Sequence, residues 1–126
     1  MDINKRRVGD IVILDLQGKL TMNDGAELLR DTVASIVFQG ERKVVLNLGG
    51  VPYMDSGGLG ELVRCHLIVQ REKGGAIKLV NLTSKITDLL TITRLVTIFD
   101  TFDSEQAALG SFGDPNTVSA PVTGPS

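Results

Sequence analysis

The chain has 126 residues, the length of one domain, and its 42% apolar and 22% charged residues are typical of a folded globular protein. Its 13 basic and 15 acidic side chains give a net charge of −2. This balance lacks the basic surface on which nucleic-acid affinity normally rests, so we expect no direct nucleic-acid partner.

No segment predicts targeting to a membrane. The first seven residues are polar, and no apolar run follows their charges as it would in a signal peptide. No window approaches the roughly 18 uninterrupted apolar residues of a membrane-spanning helix. The single cysteine, Cys65, excludes an internal disulfide and fits a reducing compartment. We therefore expect a cytoplasmic protein with no membrane partner.

Apolar residues recur with strand and helix periods in alternation. In chain order we predict a possible edge strand at 3–7, a strand at 8–16, a helix at 26–38, a strand at 43–48, a helix at 56–73, a strand at 77–82, a helix from 84 to about 90, a strand at 96–99 and a helix at 104–109. Asn23 or Asp24 can cap the first of these helices, and Thr83 or Ser84 the third.

This alternation predicts an α/β sandwich with a mixed sheet of four or five strands and about four helices. The run at 44–48 is apolar on both faces, which is typical of a strand covered on both sides. The last 14 residues contain three of the four prolines and a single charge, so we predict a folded unit at 1–112 and a flexible tail at 113–126.

Functional groups of open α/β sheets gather beyond the carboxyl ends of strands, where the loops 18–24 and 49–56 lie. The second loop opens a helix with the sequence Met54-Asp55-Ser56-Gly57-Gly58-Leu59-Gly60. Ser56 has a simple structural explanation as an N-cap, and Asp55 as a turn residue or a solvated charge. The three glycines each cost about 1 kcal/mol in a helix, which indicates close approach of a phosphate group or of another protein's backbone.

These residues do not support an enzymatic function. His66, the only histidine, lies ten residues beyond Ser56 on the predicted helix, about 15 Å along its axis, too far to serve as its base. Met54 stands where a nucleophile elbow needs glycine, and no phosphate-binding Gly-x4-Gly-Lys loop exists. We expect no catalytic residue, no cofactor and no metal site. A lone hydroxyl without catalytic partners is typical of a residue that another protein modifies.

The strand at 44–48 followed by Met54-Asp55-Ser56-Gly57-Gly58-Leu59-Gly60 resembles the STAS domain of bacterial anti-sigma factor antagonists. The order of elements over 1–112 matches that fold. The resemblance implies a protein that binds an anti-sigma factor, itself a serine kinase, and so releases a sigma factor. The kinase would phosphorylate Ser56 and thereby end binding, and a serine phosphatase would reverse this.

The resemblance also implies the contact residues. The residues from Met54 to Gly60 around Ser56 would form the interface, with the loop at 19–24 beside them as a second patch. In that loop Thr21, Asn23 and Asp24 would contact the partner, and Thr21 is the alternative phosphorylation site. Many relatives carry a second serine where this chain has Gly57. The alternative function is a STAS scaffold that is never phosphorylated, a subunit of a signalling or lipid-transport complex.

Overall fold

The protein is described by a computed structural model that covers residues 1–112, and the predicted tail at 113–126 lies outside the described residues. Within the described range the strands are β1 Asp2–Val8, β2 Ile11–Gln17, β3 Lys43–Gly50, β4 Ala76–Val80 and β5 Asp100–Phe102. The helices are α1 Ala26–Phe38, α2 Ser56–Gln70, α3 Ser84–Ile92 and α4 Glu105–Ser111, and a 3-10 turn at Leu95–Thr97 precedes β5.

The five strands form one sheet in the order β1-β2-β3-β4-β5, with β1 antiparallel to β2 and the other pairs parallel. Each connection between parallel strands therefore leads to the neighbouring strand, and all three connections cross the sheet in the same direction. Right-handed crossovers in one direction place their helices on one face of the sheet, so α1, α2 and α3 share a face. Helix α4 packs on the opposite face. The predicted sandwich, with a five-stranded mixed sheet and four helices, is confirmed.

Strand alternation divides the core into two layers. Val12 and Leu14 of β2 belong to the larger cluster beneath α1, α2 and α3, whereas Ile13 between them belongs to the smaller cluster beneath α4. Strand β3 behaves in the same way, with Val44 and Val45 on opposite faces and both fully buried. The prediction of a strand covered on both sides is confirmed.

Two predicted boundaries near β1 and α2 are wrong. The strand predicted at 8–16 is divided, because Gly9 has a φ of +61° and turns the chain into a hairpin between Val8 and Ile11. Helix α2 ends at Gln70, three residues before the predicted end.

The strand predicted at 96–99 is also wrong. Residues 95–97 form a 3-10 turn that begins at Arg94, whose φ of +63° redirects the chain, and the strand itself is β5 at Asp100–Phe102. The apolar side chains of Val96 and Ile98 are exposed, and only Phe99 is buried. A short β-branched run therefore looked like a strand although it has no buried face.

Candidate functional site

The loops that follow β2 and β3 lie side by side, as expected. The backbone N–H of Gly18 donates to the carbonyl of Gly50, and that of Leu20 donates to the carbonyl of Tyr53, both at 3.0 Å. Leu20 and Met54 also form a short parallel bridge. Two segments 30 or so residues apart in the chain are thus joined into one surface at the carboxyl ends of the strands.

Helix α2 is capped by Asp55, not by Ser56 as expected. Asp55 has extended backbone geometry, and its Oδ1 accepts a hydrogen bond of 2.8 Å from the backbone N–H of Gly58. The carboxylate thus satisfies a free amide of the first turn and carries negative charge where the helix dipole favours it. Ser56 is displaced to the first helical position, which leaves its hydroxyl without a capping role.

The two candidate hydroxyls have different surroundings. Ser56 is exposed, and its Oγ makes no hydrogen bond with any of residues 1–112. Thr21 is half-buried, and its Oγ1 accepts a hydrogen bond of 3.0 Å from the backbone N–H of Asp24. A modifying enzyme could reach the Ser56 hydroxyl without breaking an internal bond, whereas modification of Thr21 would disturb its turn.

The glycines of α2 have two different explanations. A Cβ at Gly58 would lie 1.9 Å from the carbonyl oxygen of Leu20, and one at Gly57 would lie 2.7 Å from the Cβ of Met22. The sequence indicated approach of a phosphate group or of another protein's backbone. At these two positions that is wrong, because the chain's own 18–25 loop occupies the space. A Cβ at Gly60 would meet nothing within 4 Å among residues 1–112, so packing within the described part of the chain does not explain this glycine.

The 18–25 loop closes on itself before α1 begins. Thr21 and Asp24 exchange backbone hydrogen bonds of 2.8 and 3.2 Å. The prediction that Asn23 or Asp24 caps the helix is wrong. The N-cap is Gly25, with a φ of +87° and no side-chain hydrogen bond. A Cβ there would lie 3.0 Å from the carbonyl oxygen of Lys19, so both the backbone conformation and the space favour glycine.

Two of the expected contact residues are buried. Met54 and Leu59 are only 7% and 4% exposed and belong to the core, so they support the site from beneath. Two exposed apolar side chains on the adjoining loops were missed from the sequence. Met22, which packs against Gly57, is 73% exposed, and Tyr53, three residues before Ser56, is 46% exposed. The signal available for Met22 was an apolar residue within the polar turn 21–25. Exposed apolar side chains on adjoining loops are typical of a protein-binding surface.

A polar groove of about 430 Å³ extends from Ser56 between α1 and α2. We call it the α1–α2 groove; Met22, Arg30, Ser56, Gly60, Glu61 and Arg64 are among its lining residues. Within it Arg30 Nη1 donates to Glu61 Oε1 at 3.1 Å. Glu61 is the one buried charged residue among residues 1–112, with a side chain 6% exposed. The ion pair explains how a carboxylate can be buried between the two helices.

The remaining reactive side chains lie away from Ser56. His66 packs edge-on against Phe99, with ring centroids 5.3 Å apart. Burial raises the pKa of the Cys65 thiol to about 12, which keeps it protonated and unreactive. Among residues 1–112 no cluster of histidine, cysteine or acidic side chains could hold a metal ion. Over the same range, no helix has the length and apolar character needed to cross a bilayer.

Comparison with known proteins places the fold in a family. The family model described as the STAS domain matches residues 2–108. The anti-sigma factor antagonist BtrV of Bordetella bronchiseptica is 31% identical over 115 residues, which are 89% of this chain and 95% of that protein. The anti-sigma-B factor antagonist of Bacillus subtilis is 34% identical over 103 residues, 79% of this chain and 91% of that protein. The chain belongs to the STAS domain family of anti-sigma factor antagonists.

Solved structures agree with this assignment. The crystal structure of an anti-sigma factor antagonist from Thermotoga maritima superposes with a TM-score of 0.81 at 27% identity, covering 87% of this chain and 93% of that one. SpoIIAA in its unphosphorylated form gives a TM-score of 0.69 at 20% identity, covering 90% of this chain and all of that one. SpoIIAA has also been solved in its phosphorylated form, with a TM-score of 0.65. At this identity the SpoIIAA structures show the shared fold.

Proposed function

We propose that the protein is an anti-sigma factor antagonist switched by phosphorylation of Ser56. In its unmodified form it binds an anti-sigma factor that is also a serine kinase. This binding releases the sigma factor that the anti-sigma factor had held. The observation that carries this proposal is the Ser56 hydroxyl, which is exposed, has no hydrogen-bond partner among residues 1–112, and lies at the start of a helix that Asp55 already caps. The hydroxyl is thus free to be modified while the helix end stays formed.

Phosphorylation at this position changes the surface and preserves the fold. The kinase transfers the γ-phosphoryl group of ATP to Ser56. A bond forms between Ser56 Oγ and the γ-phosphorus, the bond between this phosphorus and the oxygen of ADP breaks, and the serine hydroxyl loses its proton. The phosphate adds about −1.5 to −2 charges next to the free amides of the first helical turn. The helix dipole favours negative charge there, which offsets the repulsion between the phosphate and the neighbouring Asp55 carboxylate, so we expect the helix to stay formed.

The same modification ends binding because of what surrounds Ser56. Met22 and Tyr53 present exposed apolar surface on the two loops that are joined next to Ser56, and we propose that this surface packs against the anti-sigma factor. A phosphate in such an interface would have to lose its water without gaining enough donors, which costs several kcal/mol. A serine phosphatase that removes the group restores the binding surface. We assign this exchange to the cytoplasm, where ATP is available.

The names of the relatives support the coarse role, since BtrV and the Bacillus subtilis protein are both anti-sigma factor antagonists. The protein itself is proposed to bind and to be modified, with no catalytic step of its own. Ser56 Oγ has no histidine or acid bonded to it among residues 1–112, as a nucleophile would require.

The test is phosphate transfer in an extract of the cell that makes the protein. Wild type, Ser56→Ala and Ser84→Ala are incubated with ATP, and the phosphate is located by mass spectrometry. Ser84 is a matched control because it is also an exposed serine at the first position of a helix, behind the cap Thr83. We expect labelling of wild type and Ser84→Ala and none of Ser56→Ala.

Two outcomes would change the proposal. Phosphate found on Thr21 would move the switch to the neighbouring loop. An unlabelled wild-type protein that still binds its partner in the presence of ATP would indicate a constitutive scaffold in place of a switch.

A further inference from the structure

The α1–α2 groove is lined by Ser56 together with two arginines, Arg30 and Arg64, which differ in exposure and in hydrogen bonding. Arg30 donates to Glu61 from α1, and its side chain is 34% exposed. Arg64, on α2 itself, is 62% exposed, and its terminal nitrogens donate to no side chain among residues 1–112. Of the two arginines, Arg64 is therefore the more exposed, and its guanidinium makes no hydrogen bond to a side chain among residues 1–112.

Glu61 gives a second, independent sign of incomplete bonding. Its Oε2 is buried and has no hydrogen-bond partner among residues 1–112. Nε of Arg64 lies 3.9 Å from this oxygen, too far for a hydrogen bond. A buried carboxylate oxygen without a donor is costly, so a movement of Arg64 toward Glu61 would be favourable.

The path between Ser56 and Arg64 is open. Their Cα atoms are eight residues apart on α2, about 12 Å along the axis. The side chains of both residues lean toward the helix N-terminus, so contact needs an extended arginine and a phosphoserine turned back toward Gly60. Gly60 lies between them and lines the same groove, and a Cβ there would meet no atom of the described residues within 4 Å. An extended arginine and a phosphoserine can therefore approach each other across the position where Gly60 has no side chain.

We propose that Arg64 holds the phosphate of phosphorylated Ser56 within the same chain. The two Nη atoms donate to the phosphate in the bidentate geometry that arginine favours, while Nε closes the gap to Glu61 Oε2. Glu61, fixed by Arg30, positions the arginine. The proposal rests on Ser56 as the phosphorylation site. Phosphorylation then changes the whole α1–α2 groove and not the hydroxyl alone, because the exposed Arg64 side chain becomes fixed against α2.

The test is the pKa of the phosphate, measured by titration with ³¹P NMR. The protein is synthesised with phosphoserine at position 56, so no kinase is needed and failure of the kinase proposal would not affect the result. Wild type is compared with Arg64→Gln, Arg64→Lys and Arg71→Gln. Arg71 is the matched control, because it is exposed at the opposite end of the same helix and its loss changes the net charge equally.

A contacting guanidinium favours the doubly charged phosphate and lowers its second pKa, which is ordinarily near 6. We expect the pKa to rise by about half a unit or more in Arg64→Gln, to rise less in Arg64→Lys, and to stay at the wild-type value in Arg71→Gln. Equal pKa values in wild type and Arg64→Gln would overturn the proposal. So would an equal rise in Arg71→Gln, since that is a general effect of net charge.

Discussion

Asp55 and Ser56 are neighbours with separate tasks. The carboxylate of Asp55 bonds the backbone N–H of Gly58 and holds the start of α2, while the Ser56 hydroxyl contacts solvent. A motif that looks like one functional unit in sequence thus combines a structural residue with a residue available for modification. This division allows the surface to change while the helix end remains intact.

Substitution of the two residues should separate these tasks. Asp55→Ala removes the cap and should lower the free energy of unfolding by about 1 kcal/mol, whereas Ser56→Ala should change it by less than about 0.5 kcal/mol. Urea denaturation of both variants and of Thr83→Ala, the equivalent cap of α3, measures the difference. Equal stabilities of Asp55→Ala and Ser56→Ala would contradict the assignment of the cap.

The glycines of α2 make a second prediction at this scale. Gly60→Ala should stabilise the protein by up to about 1 kcal/mol, because alanine favours the helix and the added Cβ meets nothing. Gly58→Ala should destabilise it by about 1–3 kcal/mol or more, because the Cβ would overlap the carbonyl of Leu20. Thermal or urea unfolding of the pair decides the matter. A destabilised Gly60→Ala would mean that the free protein itself needs this glycine.

At the scale of elements, one ion-pair network ties the edge strand to both β2 and α4. Arg6 of β1 donates to Asp15 of β2 through Nε at 2.6 Å and Nη2 at 3.1 Å, and to Glu105 of α4 through Nη1 at 3.0 Å. Asn47 of β3 donates to the same Asp15 at 2.8 Å. Helix α4 has only seven residues, so its place on the sheet depends on this network as well as on the apolar contact of Ala108.

The network predicts how stability depends on pH. Hydrogen bonds from Arg6 lower the pKa of Asp15 from 3.8 to about 2. Because the folded state lowers this pKa, the stabilisation is fully present above about pH 4 and is lost as the pH falls toward 2. Asp15→Asn should therefore be less stable than wild type at pH 7, and the difference should shrink between pH 4 and pH 2. Urea titrations at several pH values test this, and a difference independent of pH would contradict it.

At the scale of the whole molecule, the sequence predicted those elements well whose apolar residues follow a regular pattern over their whole length. The run at 44–48 and the helix at 26–38 were predicted closely, because burial on one or two faces leaves a regular pattern. The 96–99 segment was misread because four residues carry no reliable period and the turn at Arg94 depends on tertiary packing. The capping of α2 could not be assigned either, since Asp and Ser are both good N-caps and only geometry distinguishes them.

The candidate site was located by its motif, but its composition depended on the fold. The sequence indicated Ser56 and its glycines, yet it could not reveal that the 18–25 loop covers Gly57 and Gly58 while Gly60 stays open. Arg30 and Arg64 come together only because α1 and α2 pack against each other. Contacts of this kind join residues far apart in the chain and leave no local pattern.

The most direct test of the switch is the affinity of the protein for the anti-sigma factor of the same cell. Dissociation constants are measured for wild type, Ser56→Ala, Ser56→Asp and the matched variant Ser84→Asp. We expect wild type, Ser56→Ala and Ser84→Asp to bind alike and Ser56→Asp to bind more than about tenfold more weakly, a loss of about 1.4 kcal/mol. Equal affinities of all four proteins would contradict the account and leave Ser56 as an ordinary surface residue.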